Sequence, residues 1–258
     1  MAGVLLLASG ACSNGQTFTT ARTLEPQRVQ HTLGLEVFVR RDPRCETPFP
    51  GPDCANYPIP FPSYVFRRGL TPSIEVGARF AVSGALGADL KLQLLRSPAF
   101  DFAIDPGLTI SGANLATSLP FLLSFNVSQA LTLTFIPRST FLIPILPANE
   151  YAEDGLMLGA GLNVQIRFSS VLALTPTVHW EHRVWSPSGG LPYDYFTFGI
   201  AITYGSVPMP HEDKAQGVAP EGEIHEADSE RSAPSPSEEP PPRLQEDGFV
   251  DDTAEPPR

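Results

Sequence analysis

Apolar and polar side chains alternate along most of this chain. The longest case is GLMLGAGLNVQIRF, residues 155–168. Leu156, Leu158, Ala160, Leu162, Val164, Ile166 and Phe168 share one face of an extended strand. Met157, Gly159, Gly161, Asn163, Gln165 and Arg167 share the other. The unbroken run is roughly 13 residues, whereas a strand of a soluble sheet averages about five or six and a tilted membrane-crossing strand needs about 9–11. The period recurs at 73–82, 88–96, 100–105, 171–184 and 195–204, and more weakly at 29–40, 62–68, 117–127 and 131–141. In 88–96, Leu90, Leu92 and Leu94 oppose Asp89, Lys91, Gln93 and Leu95. The pattern predicts about ten antiparallel strands, with eight to twelve compatible. Pro62 and Pro120 are awkward inside a closed sheet, which makes the second and sixth strands the least regular.

The polar face decides which solvent the apolar face meets. A lipocalin-like barrel or a β-sandwich also alternates, with its apolar face inward. Here the polar face carries Gly34, Gly77, Gly159, Gly161, Gly199, Ala81, Ala103 and Ala201 among its charges, and residues 28–205 contain one lysine, Lys91. Small residues beside charges suit a crowded interior rather than a water-facing surface. The bulky Leu, Ile, Val and Phe face suits lipid, where only closure pairs every backbone group. The expected fold is therefore all-β: a closed, up-and-down transmembrane β-barrel. Its lumen would hold a charge network of Glu36, Arg67, Glu75, Arg79, Asp89, Lys91, Asp101, Asp105, Arg167, His179, Glu181 and Arg183. These charges are expected to pair across the lumen, because an unpaired buried charge is costly. Trp180, Trp185, Tyr193 and Phe196 fall near one expected rim, and Phe100, Phe168 and Tyr204 near the other, as interfacial aromatic girdles do.

Charge separates the barrel from its tail. Residues 206–258 hold 14 acidic and 4 basic residues, against 14 and 13 in residues 1–205. The tail also holds ten of the 28 prolines and few large apolar residues, a composition that cannot offset chain entropy and predicts disorder. The acidity gives no basic footprint for nucleic acid. No apolar run is long enough for a membrane helix. At the other end, Val4 to Ala8 is a short apolar run, followed by small residues and Cys12. This reads as an export leader at 1–12, then an N-terminal linker at 13–27, the barrel at 28–205 and the tail at 206–258.

Segments 155–168 and 193–205, behind an exported N-terminus, resemble the small outer-membrane β-barrel proteins of Gram-negative bacteria. The resemblance is one of pattern, covers about residues 28–205, and implies a fold and a location but no activity. Within it, tight turns on one rim and longer loops on the other imply that the even strand count leaves both chain ends in the periplasm. One departure is that 54 residues follow Tyr204, where barrels of this class often end on an aromatic residue. LASGAC is similar to a bacterial lipobox, which implies lipidation of Cys12, although Ser9 stands where a Leu is usual.

Cys45 and Cys54 lie in the longest loop and, in an exported chain, are expected to form a disulfide. A metal site is the rival reading, but no His or third Cys is near. No phosphate loop, CxxC pair, HExxH or GxSxG occurs. His179, Glu181 and Arg183 share a strand face and form the best catalytic candidate, against an interior charge network as the simpler account. The expectation is a protein without enzymatic activity, cofactor or metal. It would be a structural and interaction scaffold in contact with outer-membrane lipid, with an extracellular disulfide loop and an acidic tail for a periplasmic partner. A narrow pore or uptake channel is the first alternative, and a soluble lipid-binding barrel the second.

Overall fold

The computed structural model of the chain describes residues 18–41, 59–112, 114–146, 153–189 and 192–210. Cys12, Cys45, Cys54, the leader and the tail beyond residue 210 lie outside these residues. The described strands are β1 (Val29–Arg41), β2 (Ile59–Thr71), β3 (Ile74–Ala81), β4 (Leu86–Arg96), β5 (Phe100–Ile104), β6 (Gly107–Ser111), β7 (Asn114–Asn126), β8 (Leu131–Pro144), β9 (Gly155–Ser169), β10 (Leu172–Trp185) and β11 (Asp194–Gly205). Among them no helix is long and apolar enough to cross a membrane; the strands are long enough instead.

Each strand pairs antiparallel with its neighbours. β1 joins β11 from Gln30↔Gly205 to Arg41↔Asp194, and β3 joins β4 from Ile74↔Leu92 to Phe80↔Leu86, so the sheet closes on itself. β5 and β6 lie end to end between β4 and β7 and act as one interrupted strand, giving a ten-stranded closed barrel. The interruption falls at Asp105–Pro106, opposite Leu119–Pro120. Pro106 and Pro120 both lack an N–H, so the ladder breaks where two donors are missing anyway. The remaining groups are used: the Asp105 amide donates to the Pro120 carbonyl at 3.1 Å, and the Leu90 amide to the Pro106 carbonyl at 3.0 Å.

Tight turns at 72–73, 97–99, 127–130 and 170–171 share one rim, and the β3–β4 turn at 82–85 lies at the opposite rim. The chain leaves β11 at the tight-turn rim, where Ser206 N donates to the Val29 carbonyl and Val207 N to the Ser170 carbonyl, both at 2.8 Å.

Side-chain direction settles the solvent question. Leu33, Leu94 and Ile202 are each more than half exposed on the outside, while Glu36, Asp101, Asp105, Asn163 and Thr175 are fully buried inside. An apolar exterior with a polar interior is the reverse of a soluble lipid-binding barrel, and that alternative falls. Two positions depart from simple alternation. Leu95, expected on the inner face, points outward beside Leu94 because a bulge between Gln93 and Leu95 shifts the register against β5. Tyr193, expected in the interfacial girdle, is 2% exposed and lies inside. Trp180 and Trp185 do face outward, and Phe141 stacks on Trp185 with ring centres 6.2 Å apart.

Candidate functional site

The lumen is the candidate site, and its largest occupant is the chain itself. Residues 18–24, expected to be part of a linker, run inside the barrel with every residue at most 7% exposed. The segment makes no ladder with the wall. It is held by side chains from around the ring: Asn163 Nδ2 donates to the Thr19 carbonyl (2.9 Å), Ala21 N to Ser124 Oγ (2.8 Å), Thr23 N to Gln93 Oε1 (3.0 Å) and Leu24 N to Glu75 Oε2 (2.8 Å). Arg22 grips Asp101 with two bonds of 3.1 Å, one to each carboxylate oxygen, and donates to the Ser97 and Met209 carbonyls. Ala21 meets Ala103, Leu122 and Ile136 in a small apolar centre. Phe18 fits because Gly34 and Gly199 leave space: a β-carbon on Gly34 would stand 2.3 Å from the Phe18 ring, and one on Gly199 3.0 Å. A cavity of about 170 Å³ at the tight-turn rim, bounded by Arg22, Leu24, Arg28, Arg96, Val207 and Met209, reaches the segment from that side.

Two charge clusters line the wall. In the first, Arg67 on β2 meets Glu75 on β3 (2.9 Å), Asp89 on β4 (3.0 Å) and Asp105 at the β5–β6 break (3.3 Å). Lys91 Nζ adds a second cation on Glu75 at 2.8 Å. In the second, Arg138 on β8 forms a forked pair with Glu181 on β10 at 2.8 and 2.7 Å, and Thr140 donates to the same carboxylate. Between them Arg79 pairs with Glu36, and Ser63 also donates to Glu36. The glycines expected on the inner face are what lets these large groups fit. A β-carbon on Gly77 would stand 2.4 Å from Asp89 Oδ1, and one on Gly159 2.5 Å from Glu181 Cγ.

Of the residues singled out in the sequence, Glu36, Arg67, Glu75, Arg79, Asp89, Lys91, Asp101, Asp105, His179 and Glu181 therefore face the lumen in contact with other polar groups. Arg167 also faces inward, but it donates to the Gln129 carbonyl and the Thr132 hydroxyl rather than to an acid. Arg183 lies over the Tyr193 ring, 4.2 Å from its centre. His179 contacts Asn163 Oδ1 at 3.3 Å. His179, Glu181 and Arg183 are thus engaged with three different partners. Among the described residues no group of three His, Cys, Asp or Glu side chains could hold a metal ion.

Sequence reasoning missed Arg22, Ser124, Arg138 and Tyr193. Arg138 sits in TFIPRST, whose alternation marks it as inward; Arg22 lies in a stretch with no strand period.

The long-loop end has its own cover. Leu142, Met157, Tyr193 and Tyr195 cluster inside the wall of β8–β11. Tyr193 and Tyr195 donate to Glu153 at 2.7 and 3.1 Å. Just above, Asp154 accepts from Ser186 Oγ (2.6 Å), Ser188 Oγ (2.9 Å) and Ser188 N (3.1 Å). Slight burial raises the Asp154 carboxyl, and these hydrogen bonds outweigh it, holding the group below its ordinary value.

A closed antiparallel ring with a lipid-facing belt and a charged interior defines an outer-membrane β-barrel protein in contact with the bilayer. No protein-family model matches the sequence, and none of the curated protein sequences does. Solved barrels are similar in fold. An outer membrane channel from Pseudomonas putida F1 has a TM-score of 0.44 at 8% identity, over 72% of this chain and 97% of that one. The outer membrane protease OmpT from Escherichia coli has a TM-score of 0.41 at 8% identity, over 72% and 100%. The KdgM porin, solved in complex with disordered oligogalacturonate, has a TM-score of 0.36 at 9% identity, over 67% and 98%.

The expected scaffold role, built on an extracellular disulfide loop, is corrected. No disulfide occurs among the described residues, and Cys45 and Cys54 lie outside them. The polar, charged lumen accords with the narrow-pore alternative instead.

Proposed function

We propose that this protein is a narrow outer-membrane pore for ions or small polar solutes, its lumen occupied by residues 18–24 of its own chain. The tight-turn rim and both chain ends face the periplasm, and the acidic tail is available there to a basic partner. The observation that carries the reading is the chemistry of the wall. A barrel that only anchors loops can fill its interior with apolar side chains. This one places six acids and six bases of the wall inside, and leaves Arg79 Nε and Nη1 and Glu36 Oε2 buried without a hydrogen-bond partner among the described residues. Such groups are costly in a dry core and are satisfied in a wet one.

The test is conductance of the purified, heat-modifiable protein in planar bilayers. Discrete small openings support the pore. A folded barrel that never conducts above the bare lipid overturns it. Protease added to intact and then permeabilised cells tests the orientation: the tail should be cut only after permeabilisation.

A further inference from the structure

We propose that residues 18–24 are the gate of this pore, and that Asp101, which the gate covers, gives the open lumen a preference for small cations. The inference rests on the pore reading above.

Four observations lead to it. First, the segment is not a strand of the barrel. Its amides and carbonyls bond to the side chains of Asn163, Ser124, Gln93 and Glu75, so it can leave without breaking a single rung of the closed sheet. Second, the wall is shaped around it: Gly34 and Gly199 make the recess for Phe18, and neither position needs glycine for its backbone conformation. Third, the cover at the long-loop end lies against β8–β11. On β1 and β3 the lumen carries Glu36 and Arg79, whose Oε2, Nε and Nη1 lack a hydrogen-bond partner among the described residues. Ser63, which donates to Glu36, stands beside Gly34, so this polar pair lies next to the recess that holds Phe18.

The fourth observation concerns charge. With the segment in place, Arg22 neutralises Asp101. With it gone, Asp101 keeps only neutral donors: Gln93 Nε2 (3.2 Å), Asn126 Nδ2 (2.8 Å) and Ser97 N (3.4 Å). Glu75 also loses the Leu24 amide. The wall acids and bases balance, in the tight-turn half with Glu75, Asp89, Asp101 and Asp105 against Arg67, Lys91, Arg96 and Arg167. Withdrawing Arg22 therefore makes the lumen one unit more negative and uncovers the Asp101 carboxylate, and a carboxylate exposed in a narrow path attracts cations and repels anions. Arg22 also ties the gate to the chain leaving β11, through the Met209 carbonyl at 2.7 Å.

The experiment compares full-length wild type, Arg22→Glu, the swap Arg22→Glu with Asp101→Arg, and Asp101→Asn in planar bilayers, each first checked for heat-modifiability. Phe18→Ala, which removes only the ring in the glycine recess, serves if a charge variant fails to fold. Arg22→Glu replaces an attraction with a repulsion in a buried site and should raise open probability by about ten-fold or more. The swap should return it towards wild type. In a potassium chloride gradient, Arg22→Glu should show a cation-selective reversal potential that Asp101→Asn largely abolishes. Channels that open equally often in wild type, Arg22→Glu and Phe18→Ala overturn the gate and leave the pore standing. An unchanged reversal potential in Asp101→Asn overturns the selectivity. Silence from every folded variant overturns the pore and the gate together.

Discussion

Gly161 on β9 lies directly across the ladder from His179 on β10, and a β-carbon on the glycine would stand 2.1 Å from the imidazole Nδ1. The glycine is there for the ring and not for its own backbone. Gly161→Ala should force the imidazole off its present rotamer and destabilise the barrel by about 1–3 kcal/mol. Adding His179→Ala should recover most of that loss, and the coupling is read from urea midpoints of the four barrels in detergent.

Arg67 bridges Glu75, Asp89 and Asp105. Arg67→Ala removes the cation shared by three buried carboxylates, of which Lys91 pairs with Glu75, and should cost about 3–5 kcal/mol. Arg67→Lys should recover only part of it, since one ammonium cannot span three acids with a planar fork. A heat-modifiability midpoint equal to wild type in Arg67→Ala would refute the cluster.

Acidification should release the clasp above the long-loop end. The folded Asp154 carboxyl is held below its ordinary value of 3.8, so its contribution is complete above that value and is lost as pH falls through the depressed one. Amide exchange at Ser188 should be slower in wild type than in Asp154→Asn at neutral pH, with the difference vanishing well below about pH 4. A difference that does not shrink as the pH falls below about 4 would count against the clasp.

Trp180 and Trp185 are the chain's two tryptophans, and both face outward at the long-loop end of β10. Lipids brominated near the headgroup should therefore quench the protein's fluorescence more strongly than lipids brominated near the chain ends. The opposite order would place this rim at the wrong depth.

The ring was legible because a period-two pattern reports direction at every residue. Leu158 out and Gly159 in, or Ile202 out and Thr203 in, follow from one choice of solvent. What escaped the reading lacked that signal. Residues 18–24, FTTARTL, carry no period, and their burial comes from docking against residues as far apart as Gly34 and Met209 rather than from local pattern. Leu95 was misdirected because one extra residue in a bulge reverses the faces after it. Tyr193 precedes the last strand and looked interfacial, but its hydroxyl finds Glu153 inside. The narrow-pore reading was available from the balanced charges. The scaffold reading leaned on a loop outside the described residues.

The occupant of this lumen is also tethered. Leu24, bonded to Glu75, is separated from the first residue of β1, Val29, by only a few residues. So short a leash holds the segment at an effective concentration of about millimolar or more beside its own binding groove. A free solute must outcompete that local concentration, and a weak ligand at micromolar levels will not. Entry is then set less by affinity for the wall than by how often the leash lets go.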